Sequence, residues 1–130
     1  MLKNGFIRWN LPAIIWASII LALTSYPKLT VPDLGFNAID KLAHIVVYFI
    51  LAVLVTRALV RDNTNVKNGI FLKSFLINSG FAFFDELHQI PIPGRVGDIL
   101  DFSADILGIL FALFAFKILH LFLVSKKVIE

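Results

Sequence analysis

Residues 42–60 read LAHIVVYFILAVLVTRALV, and residues 106–124 read ILGILFALFAFKILHLFLV. Each stretch is close to the roughly 20 apolar residues that a helix needs to cross the hydrocarbon core of a bilayer. A backbone surrounded by lipid has to satisfy its own hydrogen bonds, which a helix does. The two stretches therefore predict an all-α membrane protein.

Two further apolar blocks, at residues 11–25 and 69–84, complete the pattern. The first reaches spanning length when Trp9 and Tyr26 are counted as anchors at the membrane interfaces. The second is the weakest candidate for a span, since polar residues such as Lys73 interrupt it. It lies between two predicted spans, however, and has to bring the chain back across the membrane. We therefore predict four transmembrane helices, at about residues 9–26, 42–60, 68–87 and 103–124.

The composition leaves no room for a separate soluble domain. The 130-residue chain is 58% hydrophobic and 16% charged, whereas soluble domains are about 45–50% apolar and about 25% charged. The connections are short, so residues 1–130 are predicted to form one domain. The chain has no cysteine, which excludes disulfides and thiolate metal sites. The net charge of +3 does not indicate nucleic-acid binding.

Lysine and arginine are distributed unevenly between the two ends of the predicted bundle. Basic residues in short loops favour the cytoplasmic side. One end carries Lys3, Arg8, Arg57, Arg61, Lys67, Lys126 and Lys127, and the other carries Lys28, Lys41 and Arg95. Both termini are therefore predicted to be cytoplasmic, with most acidic residues at the extracytoplasmic end.

The second predicted span begins with a polar stripe. Asp40, His44 and Tyr48 are spaced by four, which places them on one helical face next to Lys41. Asn37 and Asp40 also resemble a capping box at the positive helix end. His44 lies about one turn deeper, where an ionisable group favours a functional role.

The third predicted span ends in Asp85, Glu86, His88 and Gln89. The negative end of the helix dipole disfavours carboxylates by about 0.3–1 kcal/mol each. Capping therefore cannot explain Asp85 and Glu86. We expect a cation to face them, with Lys41 and Arg95 as the main candidates.

A proline-rich turn, Pro91-Ile92-Pro93-Gly94-Arg95, follows this span. Pro-Gly in the centre of a turn favours type II. The turn presents Arg95, whose guanidinium can hold a carboxylate or phosphate with two parallel bonds. The alternative is a structural role in which Arg95 pins acidic neighbours.

The last span opens with Asp98, Asp101, Asp105 and Gly108, which share one helical face. Asp98 and Asp101 can cap the helix, whereas Asp105 lies too deep to do so. Gly108 would permit the close approach of another helix.

These residues form the predicted site, in which acidic groups outnumber cations. Such a site holds protons, binds a cation or an amine, or reserves Arg95 for an anionic group. No familiar metal-ligand spacing or cofactor motif is present, so we predict neither a metal nor a cofactor. The predicted site comprises Asp40, Lys41, His44, Tyr48, Asp85, Glu86, His88, Gln89, Arg95, Asp98, Asp101 and Asp105.

Three spaced motifs resemble those of the VanZ-like family of small bacterial membrane proteins. They are Asp40-Lys41-x-x-His44-x-x-x-Tyr48, Asp85-Glu86-x-x-Gln89 and Pro93-Gly94-Arg95-x-x-Asp98-x-x-Asp101-x-x-x-Asp105-x-x-Gly108. The resemblance covers about residues 40–115. The family is named for a protein associated with low-level resistance to the glycopeptide teicoplanin. The resemblance implies a protein of the bacterial inner (cytoplasmic) membrane with a polar extracytoplasmic site. The family often has Asn where this chain has Asp105, so the chain carries an additional charge there.

Three functions remain open at this point. The first is binding of a cell-envelope ligand, either a lipid-linked peptidoglycan precursor or a glycopeptide. The second is a membrane-embedded enzyme for a lipid-linked or phosphate-bearing substrate, although the chain has no recognised catalytic motif. The third is a structural bundle closed by an ion-pair latch. A proton-coupled transporter would require more than four spans, and hence a homo-oligomer.

Overall fold

The computed structural model describes the backbone of residues 2–27, 37–61 and 68–129, and the side chains of residues 5–27, 38–61 and 69–123. These ranges contain four helices and no strand: α1 (Leu2–Thr24), α2 (Asn37–Val60), α3 (Asn68–Gln89) and α4 (Ile99–Ile129). The all-α prediction is confirmed.

Three of the four helices are long and apolar enough to cross a membrane. The qualifying segments are Gly5–Thr24 in α1, Ala38–Val60 in α2 and Ile99–Leu123 in α4. Among the described residues, α3 does not qualify, because polar side chains recur along its length. Three predicted spans are thus confirmed by length and composition, while the fourth and the topology stay predictions.

The chain leaves α3 through the predicted type II turn. Gly94 has a φ of 76°, which suits the third position of this turn and is strained for other residues. The Arg95 amide donates a 3.0 Å hydrogen bond to the Ile92 carbonyl and closes the turn. The turn directs the chain toward the start of α4.

Helix α2 lies at the centre of the bundle and contacts the other three helices. Against α4 the packing is very close, since a Cβ built on Gly108 would lie 2.3 Å from the Ile45 carbonyl oxygen. The close approach predicted for Gly108 is therefore confirmed. Against α1, the Trp16 indole donates a 3.0 Å hydrogen bond to the Val47 carbonyl.

A buried polar seam joins α2 and α3 in the middle of the bundle. The Thr56 and Ser74 hydroxyls lie 2.8 Å apart. The Asn78 amide donates to the Ser74 carbonyl at 2.8 Å. Ser74 and Asn78 are fully buried. Ser74 finds its partner on the facing helix α2, whereas the Asn78 amide bonds within α3.

The far end of the bundle carries basic residues over aromatic rings. The Arg57 guanidinium lies 4.2 Å from the centre of the Trp9 ring, and Arg61 lies 5.9 Å from that of Phe6. Several residues used in the topology and capping predictions have side chains outside the described ranges: Lys3, Lys28, Asn37, Lys67, Lys126 and Lys127.

Candidate functional site

Four helix ends meet at the opposite end of the bundle. They are the C-termini of α1 and α3 and the N-termini of α2 and α4. A cleft of about 330 Å³ lies at this end, among α2, the end of α3, the turn that follows it and the start of α4. The cleft is lined by Asp40, Lys41, His44, Gln89, Gly94, Arg95, Val96, Gly97, Asp98, Leu100 and Asp101.

Lys41 connects α2 to the start of α4 across this cleft. Its ammonium group contacts Asp98 at 3.1 Å and also pairs with Asp101. A hydrogen bond from the Leu100 amide, together with the Lys41 ammonium, holds the pKa of Asp98 below its ordinary value. Lys41 thus faces Asp98 and Asp101 rather than the carboxylates of α3.

Asp98 caps α4 as predicted. Its side chain accepts a 2.8 Å hydrogen bond from the Leu100 amide, and its carbonyl accepts the first helical bond from Phe102 at 3.0 Å. Glu86 adds a second cap, because its Oε2 accepts a 2.9 Å bond from the Asp98 amide. The inference that capping cannot explain Glu86 is therefore wrong, since this carboxylate serves a helix other than its own.

Asp85 is fully buried between α1, α2 and α3. Thr24 donates a 2.7 Å hydrogen bond to Oδ1, and Tyr48 donates a 3.0 Å bond to Oδ2. The expectation that a cation faces Asp85 is wrong for the described residues, because two hydroxyl groups take that role. Tyr48 is likewise almost fully buried.

His44 and Asp105 form a pair between α2 and α4. Nδ1 of His44 lies 2.8 Å from Oδ1 of Asp105, and the second oxygen of Asp105 has no hydrogen-bond partner among the residues that the structure describes. Asp105 is fully buried. The pair lies beside the contact between Gly108 and Ile45, so the absence of a side chain at Gly108 permits this short distance.

Among the described residues, Arg95 does not pair with a carboxylate, contrary to the structural alternative considered for it. Its guanidinium donates to the Tyr26 carbonyl at 3.1 Å and to the Leu23 carbonyl at 3.0 Å. A third contact reaches the Gln89 side chain at 3.5 Å. Arg95 therefore caps the C-terminus of α1, where helix carbonyls lack partners and a cation is favoured.

The remaining predicted residues divide between the cleft and its surroundings. Asp40 and Gln89 line the cleft. His88 lies outside it, 2.8 Å from the Ser25 hydroxyl and stacked on Phe84. The structure thus brings together most of the predicted residues but separates His88 from them.

The contribution of α1 was missed from the sequence. Thr24 bonds to Asp85, and the carbonyls of Leu23 and Tyr26 hold Arg95. The available signal was the polar Thr24-Ser25 pair at the end of an apolar block. Hydroxyl residues at such a position are common, so they did not point to the site.

Two groups of side chains could hold a metal ion. One comprises Asp40, His44 and Asp101, and the other comprises His44, Glu86 and Asp105. The second group is the more deeply buried. Carboxylates therefore dominate the chemistry of this end of the bundle, which suits cations and amines better than anions.

The chain was also compared with known proteins. The model of the VanZ/LLP1 family matches residues 4–120. No curated protein matches the chain, and no solved structure does. The family match covers most of the chain, including all the residues described around the cleft. The chain belongs to the VanZ/LLP1 family, as the resemblance of its motifs indicated.

Proposed function

We propose that this chain is a bacterial inner-membrane protein that crosses the membrane four times and binds an ammonium-bearing cell-envelope ligand in the cleft. Both termini lie in the cytoplasm and the cleft lies on the outer side. The ligand is a peptidoglycan precursor or a glycopeptide, and binding contributes to resistance to glycopeptides of the teicoplanin type.

The observation that carries this proposal is the charge of the cleft wall. Asp40, Asp98 and Asp101 line the cleft, while the guanidinium of Arg95 is held by backbone carbonyls. Arg95 is therefore not reserved for an anionic group. An ammonium group, such as that of a precursor's stem peptide, can donate charge-assisted hydrogen bonds to these carboxylates in place of Lys41.

The surface of α3 supports a fourth membrane crossing. Leu72, Leu76, Phe83 and Leu87 are exposed along one side of the helix, and their spacing fits one helical face. The buried polar residues of α3 instead face the other helices. An apolar outer face over a polar inner one is the arrangement of a span within a bundle.

The aromatic and basic residues at the far end support the orientation. Trp9 and Phe6 lie beneath Arg57 and Arg61. Tryptophan is enriched at membrane interfaces, and short basic segments favour the cytoplasmic side. The acidic cleft then faces the cell envelope.

An apolar cavity supports a lipid-linked ligand. This cavity of about 140 Å³ lies between α1 and α2. Ile20, Leu23 and Val47 line it together with His44 and Arg95, which also line the cleft. A hydrocarbon chain in this cavity would keep the head of its lipid beside the carboxylates.

The test is binding to the purified protein in lipid nanodiscs. Labelled lipid-linked peptidoglycan precursor and labelled teicoplanin are measured separately, with wild type, Asp101→Asn and the control Ser103→Ala. Ser103 is exposed on the same turn of α4, and its hydroxyl donates to the Ile99 carbonyl. Loss of one charged hydrogen bond is expected to weaken binding roughly 10- to 100-fold.

The two ligands distinguish the two sources of the ammonium group. Cells expressing wild type should also tolerate more teicoplanin than cells expressing Asp101→Asn at equal protein level. The proposal would be refuted if wild type and Asp101→Asn bound each of the two ligands with the same affinity. Equal binding with a lower melting temperature for Asp101→Asn would instead support the ion-pair latch between Lys41 and α4.

The pair of His44 and Asp105 favours enzymatic activity as a second candidate. A carboxylate at 2.8 Å orients the imidazole, which then serves as a general base or acid toward a substrate in the cleft. Turnover of a phosphate-bearing envelope lipid by wild type, absent in His44→Gln, would establish it. Binding of that lipid without turnover by wild type would exclude it.

A further inference from the structure

We propose that His44, Glu86 and Asp105 form a binding site for a divalent transition-metal cation of the zinc class. This site lies on the inner wall of the cleft, where α2, α3 and α4 meet. The inference goes beyond the envelope ligand and does not depend on it, since it concerns groups buried beneath the cleft.

The first observation is the proximity of three ligand types. One nitrogen of His44 and one oxygen from each of Glu86 and Asp105 all lie within 4.8 Å of one another. Zinc binds nitrogen and oxygen ligands at about 2.0–2.2 Å, which places tetrahedral ligand atoms roughly 3.4 Å apart. Side-chain adjustments of about 1 Å or less would therefore bring the three groups onto one cation.

The second observation is that both carboxylates have an unsatisfied buried oxygen. Glu86 is 7% exposed and Asp105 is 0% exposed. Each uses one oxygen, Glu86 toward the Asp98 amide and Asp105 toward His44. The other oxygens, Oε1 of Glu86 and Oδ2 of Asp105, have no hydrogen-bond partner in the described part of the chain.

These two oxygens without partners distinguish the site from an ordinary cluster of acidic residues. A buried polar group without a partner costs about 1–3 kcal/mol, and more when it is charged. Two such carboxylates side by side also repel each other. One divalent cation would satisfy both oxygens and neutralise both charges.

The donor set indicates the class of metal. Imidazole suits zinc, iron and nickel, whereas sites made only of oxygen suit magnesium and calcium. One imidazole and two carboxylates are three protein ligands, the number that catalytic zinc sites use while keeping a position open. His44 also lines the cleft, so the site borders the space where a ligand would lie.

The hydrogen bond between Glu86 and the Asp98 amide would hold the Glu86 carboxylate in the orientation needed to bind the cation. Its Oε2 is held by the Asp98 amide, which leaves Oε1 as the atom for the cation. Outer partners of this kind fix ligand orientation in metal sites. The Asp98 amide thereby has the same structural role as the hydrogen-bond partners of known metal-binding carboxylates.

The test measures metal binding by the full chain in detergent or nanodiscs. The protein is washed with a chelator, and Zn²⁺ alone is titrated by calorimetry, with bound zinc counted by mass spectrometry. Wild type is expected to bind one Zn²⁺ and to melt at a higher temperature with it. We expect Glu86→Gln, Asp105→Asn and His44→Gln each to lower the zinc affinity by about 100-fold or more. This loss exceeds the one expected when only a hydrogen-bond partner of a metal ligand is removed.

Ser103→Ala is the control, because it alters an exposed residue of α4 and leaves the three ligands and the Asp98 cap in place. Its zinc affinity should stay within about twofold of wild type. Asp40→Asn and Asp101→Asn test the alternative group around His44. The proposal would be overturned if folded wild type bound no zinc. It would also be overturned if Asp40→Asn and Asp101→Asn lost zinc binding while Glu86→Gln and Asp105→Asn retained it.

Discussion

The phenol of Tyr48 donates a 3.0 Å hydrogen bond to Oδ2 of Asp85 and thereby connects α2 to α3 where both side chains are buried. With the 2.7 Å bond from Thr24, this makes a buried carboxylate a meeting point of three helices. No cation is part of this arrangement among the described residues.

Tyr48→Phe should destabilise the bundle. The substitution preserves the ring but removes a donor from a buried carboxylate, which costs about 1–3 kcal/mol. The measurement is chemical unfolding of the purified protein in detergent. Tyr26→Phe is the control, since the Tyr26 side chain is 69% exposed and the chain has only these two tyrosines. Equal stability of the two variants would contradict a structural role for the hydroxyl of Tyr48.

Gly108→Ala should separate α2 from α4. The new Cβ would meet the Ile45 carbonyl oxygen at 2.3 Å, so the backbones have to move apart at a cost of about 1–3 kcal/mol. Gly80→Ala is the control, because a Cβ built there has no atom of another described helix within 4 Å. Alanine there should be neutral or stabilising by up to about 1 kcal/mol. Thermal unfolding compares the two variants, and a stable Gly108→Ala protein would refute the close packing.

Arg95→Lys should loosen the end of α1. Lysine keeps the charge but cannot reach two carbonyls with a fixed fork of donors. Hydrogen exchange is expected to rise at the amides of the last turn of α1 and to stay unchanged in the middle of α2. Unchanged exchange throughout would mean that the bonds to Leu23 and Tyr26 do not hold that helix end.

Asp98→Asn should alter the response to acid. The pKa of Asp98 is lowered by the Leu100 amide and by Lys41 from an ordinary value of 3.8. Its charge therefore stabilises the folded state above pH 3.8, and this contribution is lost as the pH falls through the lower folded pKa. Asparagine retains the cap without titrating. Melting temperatures of the two proteins should differ by a constant amount above about pH 5 and converge in stronger acid, and parallel curves throughout would contradict the assignment.

The sequence predicted the all-α class because apolar blocks of spanning length have few alternatives. It also predicted the turn at Gly94, the cap at Asp98 and the close approach at Gly108, since each depends on a residue type with a narrow use. These features are local, or follow from the spacing of residues along one helix.

Partners from distant helices were harder to predict. Glu86 and Arg95 both serve helix ends, but each serves a helix other than its own, which no spacing rule reveals. Asp85 was expected to need a cation because the sequence does not show that Thr24 and Tyr48 converge on it. The fourth span also depends on tertiary packing, because the polar residues of α3 are acceptable in a membrane only if neighbouring helices cover them.

The caps made by Glu86 and Arg95 have a consequence for biogenesis. Synthesis proceeds from the N-terminus, so α1 and α2 emerge before the turn that carries Arg95. Until that turn arrives, the carbonyls of Leu23 and Tyr26 lack the guanidinium that later holds them. The start of α4 similarly depends on Glu86 of α3. A chain truncated after α2 would therefore lack the hydrogen bonds that Arg95 makes to the end of α1. Its uncapped helix end is a feature by which quality-control proteases could recognise an incomplete chain.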